Sequence, residues 1–129
     1  MAVIDDIIVG YAYTSALKER KAYDWAVETS IYVATNYRGK GVGKVLYQEL
    51  ENISKCQNVL NMNACIALPD EGSVSFHTRL GYQQIGSFNQ CGYKLNRWYD
   101  VVWMEKLIGE HIIPPRSFIP FSKLDYLLD

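Results

Sequence analysis

The sequence predicts an α/β fold, a mixed central sheet with flanking helices, and three observations carry that expectation. Val27 to Ala34 alternates, placing Val27, Thr29, Ile31 and Val33 on one side and Glu28, Ser30 and Tyr32 on the other, as a strand with one buried face does. The turn Arg38-Gly39-Lys40-Gly41-Val42-Gly43 follows, and after it Val42, Val45, Leu46, Leu50 and Ile53 recur at helical spacing. Met62 to Leu68 then repeats the strand, and a short helical pattern through Val74, His77 and Leu80 ends at Gly81. Strand, helix, strand, helix is the order of an α/β sheet.

The remaining elements fit around this centre. Ala2 to Ile4 and Ile7 to Ser15 flank Asp5-Asp6, and the second run is rich in β-branched and aromatic residues, so a hairpin is expected. Leu17 to Ala22 reads as a polar connection, and the outer face of Val27 to Ala34 as a polar one. On the glycine-preceded helix, Lys44, Gln48, Glu51 and Asn52 fall away from the apolar stripe, which should pack on the sheet. Pro69 to Gly72 breaks the second strand. Tyr82 to Phe88 and Val101 to Leu107 read as closing antiparallel strands, which makes the sheet mixed. The core is expected to end near Gly109, giving a domain at 1–109 and a C-terminal surface extension at 110–129 that carries Pro114-Pro115 and Pro120.

Composition narrows the function classes. A chain of 129 residues with 49% hydrophobic and 13% aromatic content supports one core. A net charge of −1 offers no extended basic field, so nucleic acid is not an expected partner. Cys56, Cys65 and Cys91 lack metal-ligand spacing and read as buried free thiols, with no metal expected. No apolar run approaches the roughly 18 residues of a membrane helix, and Met1 to Asp6 has no basic leader pattern, so a soluble cytoplasmic protein is expected.

The glycine turn carries chemistry. Backbone amides at a helix N-terminus attract anions, glycines at 39, 41 and 43 permit positive φ and close approach, and Arg38, Lys40 and Lys44 add charge. The spacing is neither of the common nucleotide motifs: no glycine follows Gly43 where GxGxxG needs one, and Lys44 precedes Val45 where a P-loop needs Ser or Thr for magnesium. No ribose-binding acid lies about 20 residues beyond on a strand end, which removes a dinucleotide-linked oxidoreductase. A pyrophosphate that is held rather than cleaved suits the loop, and coenzyme A carries one.

Four blocks then resemble a known family in order and spacing: AYDWAVETSIYV (Ala22 to Val33), YRGKGVGKVLYQEL (Tyr37 to Leu50), SVSFHTRLGY (Ser73 to Tyr82) and GYKLNRWYDVVWM (Gly92 to Met104). Together they resemble the GNAT superfamily of N-acetyltransferases, in its phosphinothricin and methionine-sulfone branch. The resemblance spans roughly Ile7 to Leu107, and Arg38, Gly41 and Gly43 satisfy the superfamily's loop pattern. It implies a GNAT-like, N-terminally shortened sheet, because relatives begin with a further strand and two helices. Without them an apolar sheet face and an edge would stand open, which favours a homodimer.

By that resemblance acetyl-CoA lies in a cleft between splayed strands. Ile31, Tyr32 and Val33 would bond its pantetheine arm, and Arg38, Gly39, Lys40, Gly41, Val42, Gly43 and Lys44 would hold its pyrophosphate. Asp70 and Ser73 match further cofactor-contacting positions, although Asp70 replaces the branch's usual Asn and places a carboxylate near phosphates. Glu28 is implied as the general base for the acceptor amine and His77 as the acid for the leaving thiolate. Without the likeness, Glu28 reads as a solvated strand residue and His77 as a packed helix histidine. Arg20 and Tyr23, with Tyr93, Lys94 and Arg97, are implied as the acceptor pocket, and Tyr23, Trp25, Tyr93, Trp98 and Trp103 as an aromatic wall. The expected function is acetyl-CoA-dependent N-acetyl transfer to the amine of a small amino-acid-like acceptor, of the phosphinothricin or methionine sulfone/sulfoximine type. A catalytically impaired CoA-binding or protein-interaction module is the alternative.

Overall fold

The computed structural model describes residues 1–124. Its centre is a six-stranded sheet in the order β1-β2-β3-β4-β6-β5. These strands are β1 (Ala2–Ile4), β2 (Ile7–Ala16), β3 (Ala26–Val33), β4 (Asn61–Ala67), β5 (Gln83–Lys94) and β6 (Arg97–Leu107). Strands β3 and β4 pair in parallel, and helix α1 (Val42–Cys56) makes the crossover that such a pair requires. Helix α2 (Glu71–Arg79) joins β4 to β5, and the other strand pairs are antiparallel.

The alternation read from the sequence decides what is buried. Val27 of β3, Met62 and Ala64 of β4, and Val102 and Met104 of β6 form one core with Tyr47 of α1 and Tyr82 after α2. Met62 and Met104 are completely enclosed, and each such side chain contributes about 1.5–3 kcal/mol. Gly10 allows β2 to lie close against β3, since a Cβ there would stand 2.7 Å from the Tyr32 carbonyl oxygen. The other face of the sheet is less polar than expected. Tyr11, Tyr13 and Tyr32 are exposed on it, and the Tyr11 and Tyr32 rings stack at 5.3 Å between centroids.

Three further expectations change. The closing strands are longer than Tyr82 to Phe88 and Val101 to Leu107: β5 and β6 continue to a turn at Leu95 and Asn96, both with positive φ (52° and 62°). Register shifts near Gln84 and between Phe88 and Gly92 interrupt the alternation that reveals a strand, so the middle of this hairpin reads as a loop. The cysteines are exposed rather than buried. Cys56 ends α1, Cys65 points away from the helices, and Cys91 lies on an edge strand. The C-terminal extension also returns to the body. Trp25 Nε1 donates to the Arg116 carbonyl at 2.6 Å, Asn58 Nδ2 donates to that of Ser117 at 2.8 Å, and Leu124 is fully buried. The end of that extension, 125–129, lies outside the described residues.

Candidate functional site

The ladder between β3 and β4 ends early. Their pairs run from Ala26↔Asn61 to Thr29↔Ala64, after which β3 continues along β2 to Val33 and β4 continues along β6 to Ala67. The two strands therefore part at Thr29 and Ala64. A bond from the Ala34 amide to the Val9 carbonyl (2.7 Å) sets the phase of the β2–β3 ladder. By strand alternation, Ser30 and Tyr32 direct their backbone groups to β2, while Ile31 and Val33 direct theirs into the gap. Arg38 closes one of these groups, its Nε donating to the Val33 carbonyl at 3.3 Å.

A cleft of about 710 Å³ opens from this gap. Its first wall is Ile31, Tyr32 and Val33, its second is the turn with Arg38, Gly39, Gly41, Gly43 and Lys44, and its third is α2 with Asp70, Gly72, Ser73, Phe76 and Arg79. Gly41 is the N-cap of α1 at φ +82°, and it supplies no side-chain hydrogen bond to the first turn. The leading amides of α1 are thus left without the side-chain partner that usually occupies a helix start. Helix α2 differs, because Asp70 Oδ1 accepts the Ser73 amide at 3.0 Å. The carboxylate that looked misplaced near phosphates is engaged as that helix's cap. Arg38, Lys44 and Arg79 bring three cations to the cleft against this one acid.

An anionic, elongated ligand fits these walls. Cβ atoms on Gly39 or Gly41 would meet nothing within 4 Å, so the backbone there is open to close approach. Gly43 instead packs, since its Cβ would stand 3.0 Å from Phe76 Cζ.

Residues 1–103 match the family described as acetyltransferase (GNAT) domain. The chain belongs to the GNAT acetyltransferases. The phosphinothricin N-acetyltransferase of Streptomyces viridochromogenes is 34% identical to it over 124 residues, covering 96% of this chain and 67% of that protein. The L-methionine sulfoximine/L-methionine sulfone acetyltransferase of Pseudomonas paraeruginosa is 34% identical over 98 residues, covering 76% and 57%. Among solved structures, a GNAT superfamily phosphinothricin acetyltransferase from Sinorhizobium meliloti in complex with AcCoA superposes with a TM-score of 0.80 at 35% identity, covering 88% of this chain and 63% of that one. This GNAT chain therefore spans between 57% and 67% of the length of these relatives.

The structure of the GNAT chain places the predicted residues unevenly. Of the predicted cofactor set, Lys40 and Val42 do not line the cleft; the Lys40 ammonium sits 5.4 Å from the Tyr37 ring centroid. Glu28 is half-buried beside the strand parting, on the face without helices. There it adds to the partial desolvation that pushes the thiol of neighbouring Cys65 above its ordinary value. Arg20 and Tyr23 line a shallow pocket with Lys18 and Glu19 before the start of β3. Tyr93, Lys94 and Arg97 lie at the tip of the β5–β6 hairpin, beyond the Val101↔Ala67 pair that ends β4. Along the sheet these two groups stand on the order of 30 Å apart at 3.3 Å per residue, so they share no pocket within one chain. The aromatic set divides likewise: Tyr93 and Trp98 pack together at 5.0 Å, while Trp25 binds the C-terminal segment.

His77 is 3% exposed and does not line the cleft; Phe76 does. Its Nδ1 lies 2.8 Å from the Ser73 carbonyl and its Nε2 2.8 Å from the Tyr47 hydroxyl, which in turn is 3.0 Å from Thr29 Oγ1. Burial holds the imidazole below its ordinary pKa of 6.5, against the Ser73 carbonyl and Asp70, which favour the charged form. As pH falls below 6.5, the unfolded chain takes up a proton at His77 that the folded chain resists, so stability falls. Above 6.5 both states are neutral and the contribution is flat. Melting temperatures at pH 7.5 and 5.5 are therefore expected to differ more in the wild type than in a His77→Gln variant; equal differences would assign the slope to other groups.

Sequence reasoning missed Gly72, Phe76 and Arg79 as cleft residues, although Ser73, Phe76 and Arg79 recur at i, i+3 and i+6 on one face of α2. Tyr47 was also missed, and no local pattern marks it.

Proposed function

We propose that this chain binds acetyl-CoA in the cleft between β3, α1 and α2 and transfers the acetyl group to the amine of a small amino-acid-like acceptor, of the phosphinothricin or methionine sulfone/sulfoximine type. One observation carries the reading: the parting of β3 and β4 at Thr29 and Ala64 opens directly toward the uncapped N-terminus of α1. Acetyl-CoA supplies the thioester that makes the acetyl group transferable. The α1 amides, with Arg38, Lys44 and Arg79, hold its pyrophosphate, and the backbone groups of Ile31 and the amide of Val33 take the place of strand pairing for its pantetheine arm. Glu28, beside the apex of the gap, accepts the proton that an acceptor ammonium must lose before its nitrogen has a lone pair. The names of the relatives support the acceptor class, and Arg20 is the carboxylate clamp in this reading.

Calorimetry with acetyl-CoA, followed by thiol release in the presence of phosphinothricin or methionine sulfone, tests the proposal. Binding with acceptor-dependent thiol release supports it, and no binding rejects it. The separation of Arg20 and Tyr23 from Tyr93, Lys94 and Arg97 favours a second reading, in which one chain alone is a CoA-binding module; binding without turnover is its outcome. We further place the protein in the cytoplasm, since three free thiols suit a reducing compartment, and as a homodimer, with a second copy covering the exposed Tyr11, Tyr13 and Tyr32. Recovery outside the soluble cytoplasmic fraction would reject the first placement, and light scattering that returns a monomer mass the second. No helix among the described residues is long and apolar enough to cross a membrane.

A further inference from the structure

Resting on the acetyl-CoA reading above, we infer that Thr29, Tyr47 and His77 form a buried strut that holds the first turn of α2 against the point where β3 and β4 part, with His77 a neutral positioning residue rather than a proton donor to the cleft. The hydrogen positions decide the matter. A backbone carbonyl only accepts, so the 2.8 Å contact between His77 Nδ1 and the Ser73 oxygen requires the ring proton on Nδ1. With that proton committed, neutral Nε2 is an acceptor and the Tyr47 hydroxyl donates to it at 2.8 Å. Tyr47 has given its one proton to His77, so Thr29 Oγ1 donates to the Tyr47 oxygen at 3.0 Å, and its longer 3.3 Å approach to the Asn63 carbonyl can only share that same proton. Both ring nitrogens of His77 are thereby used, and the residue does not line the cleft.

The strut joins two parts of the site. Thr29 is the last β3 residue paired to β4. Ser73, at the other end, lines the cleft, gives its amide to Asp70 and its carbonyl to His77. The groups that face the imidazole are Tyr47 from α1, Tyr82 with its ring centroid at 5.3 Å, Phe76 from α2 and Asp70 at that helix's N-cap, with Thr29 of β3 reaching it through Tyr47. Asp70 is the one charged group among them, and it is engaged at the Ser73 amide.

Long-range nitrogen–proton NMR on the whole labelled chain reads the ring directly. The expected result is a proton on Nδ1, with no titration at the ordinary value of 6.5. In Tyr47→Phe, the His77 ring resonances move, the Ser73 amide exchanges faster, and acetyl-CoA binds roughly 2- to 30-fold more weakly, the range for residues that couple sites without touching ligand. A proton on Nε2, titration at the ordinary value, or a Tyr47→Phe protein with unchanged Ser73 exchange would overturn the strut. If Tyr47→Phe does not fold, the wild-type tautomer decides alone. Failure of the wild type to bind acetyl-CoA would instead sink the cofactor reading, and the tautomer and the Ser73 exchange would still decide the strut.

Discussion

Replacing Glu28 by Gln is expected to lower kcat for acetyl transfer by about 10²- to 10⁴-fold, the usual contribution of a positioned proton acceptor. Gln keeps the size of the side chain and its place on β3, one residue before the last pair with β4, and removes only its ability to take a proton. The acetyl-CoA dissociation constant should therefore stay within about twofold, because the lost interaction belongs to the transition state and not to cofactor binding. Raising the pH should narrow the gap, since more of the acceptor amine is then already neutral. An unchanged kcat would return Glu28 to an ordinary half-buried strand residue. A large loss of acetyl-CoA affinity would make its role structural.

Gly41→Val should abolish most cofactor binding and also destabilise the fold. The N-cap of α1 sits at φ +82°, where a β-branched side chain is strained, and such strain costs about 1–3 kcal/mol. Nothing lies within 4 Å of the added Cβ, so the protein itself does not clash; the methyl groups would project into the space proposed for the pyrophosphate. Gly41→Asn separates the two effects, because Asn tolerates the left-handed region while still carrying a side chain into the cleft. Urea melts should show Asn recovering much of the stability that Val loses, whereas calorimetry should show weak acetyl-CoA binding in both. Wild-type affinity in Gly41→Asn would remove the α1 start from the cofactor site.

The parts of the fold that were legible share one property: their signal is local. Val27 and Thr29 alternate with Glu28 and Ser30 because a strand has period two, and Gly39 and Gly41 announce a turn because each adopts positive φ. The β5–β6 hairpin was read short for the opposite reason. Its turn places Leu95 and Asn96 in the left-handed region, where Leu is no turn signal, and the register shift between Phe88 and Gly92 breaks the strand alternation there. Cys65 reads as a buried free thiol because its spacing suits no metal, yet its position on β4 points it to the face opposite the helices, and strand phase decides its exposure.

Taken alone, the amino-acid order determined the central strands, the helices and the glycine turn, since each rests on neighbours within a few positions, and the family resemblance, since it rests on the order of such blocks along the chain. Tertiary structure decided the rest. Trp25 reaches Arg116 across 91 positions and Tyr47 reaches His77 across 30, so the docking of the C-terminal segment and the sealing of the imidazole exist only once the chain has closed on itself. In the same closed sheet β3 and β4 part after Thr29 while each stays paired on its outer side, and Arg20 and Arg97 stand at opposite ends of the sheet. Which side chains meet depends on pairings that no short stretch of sequence contains.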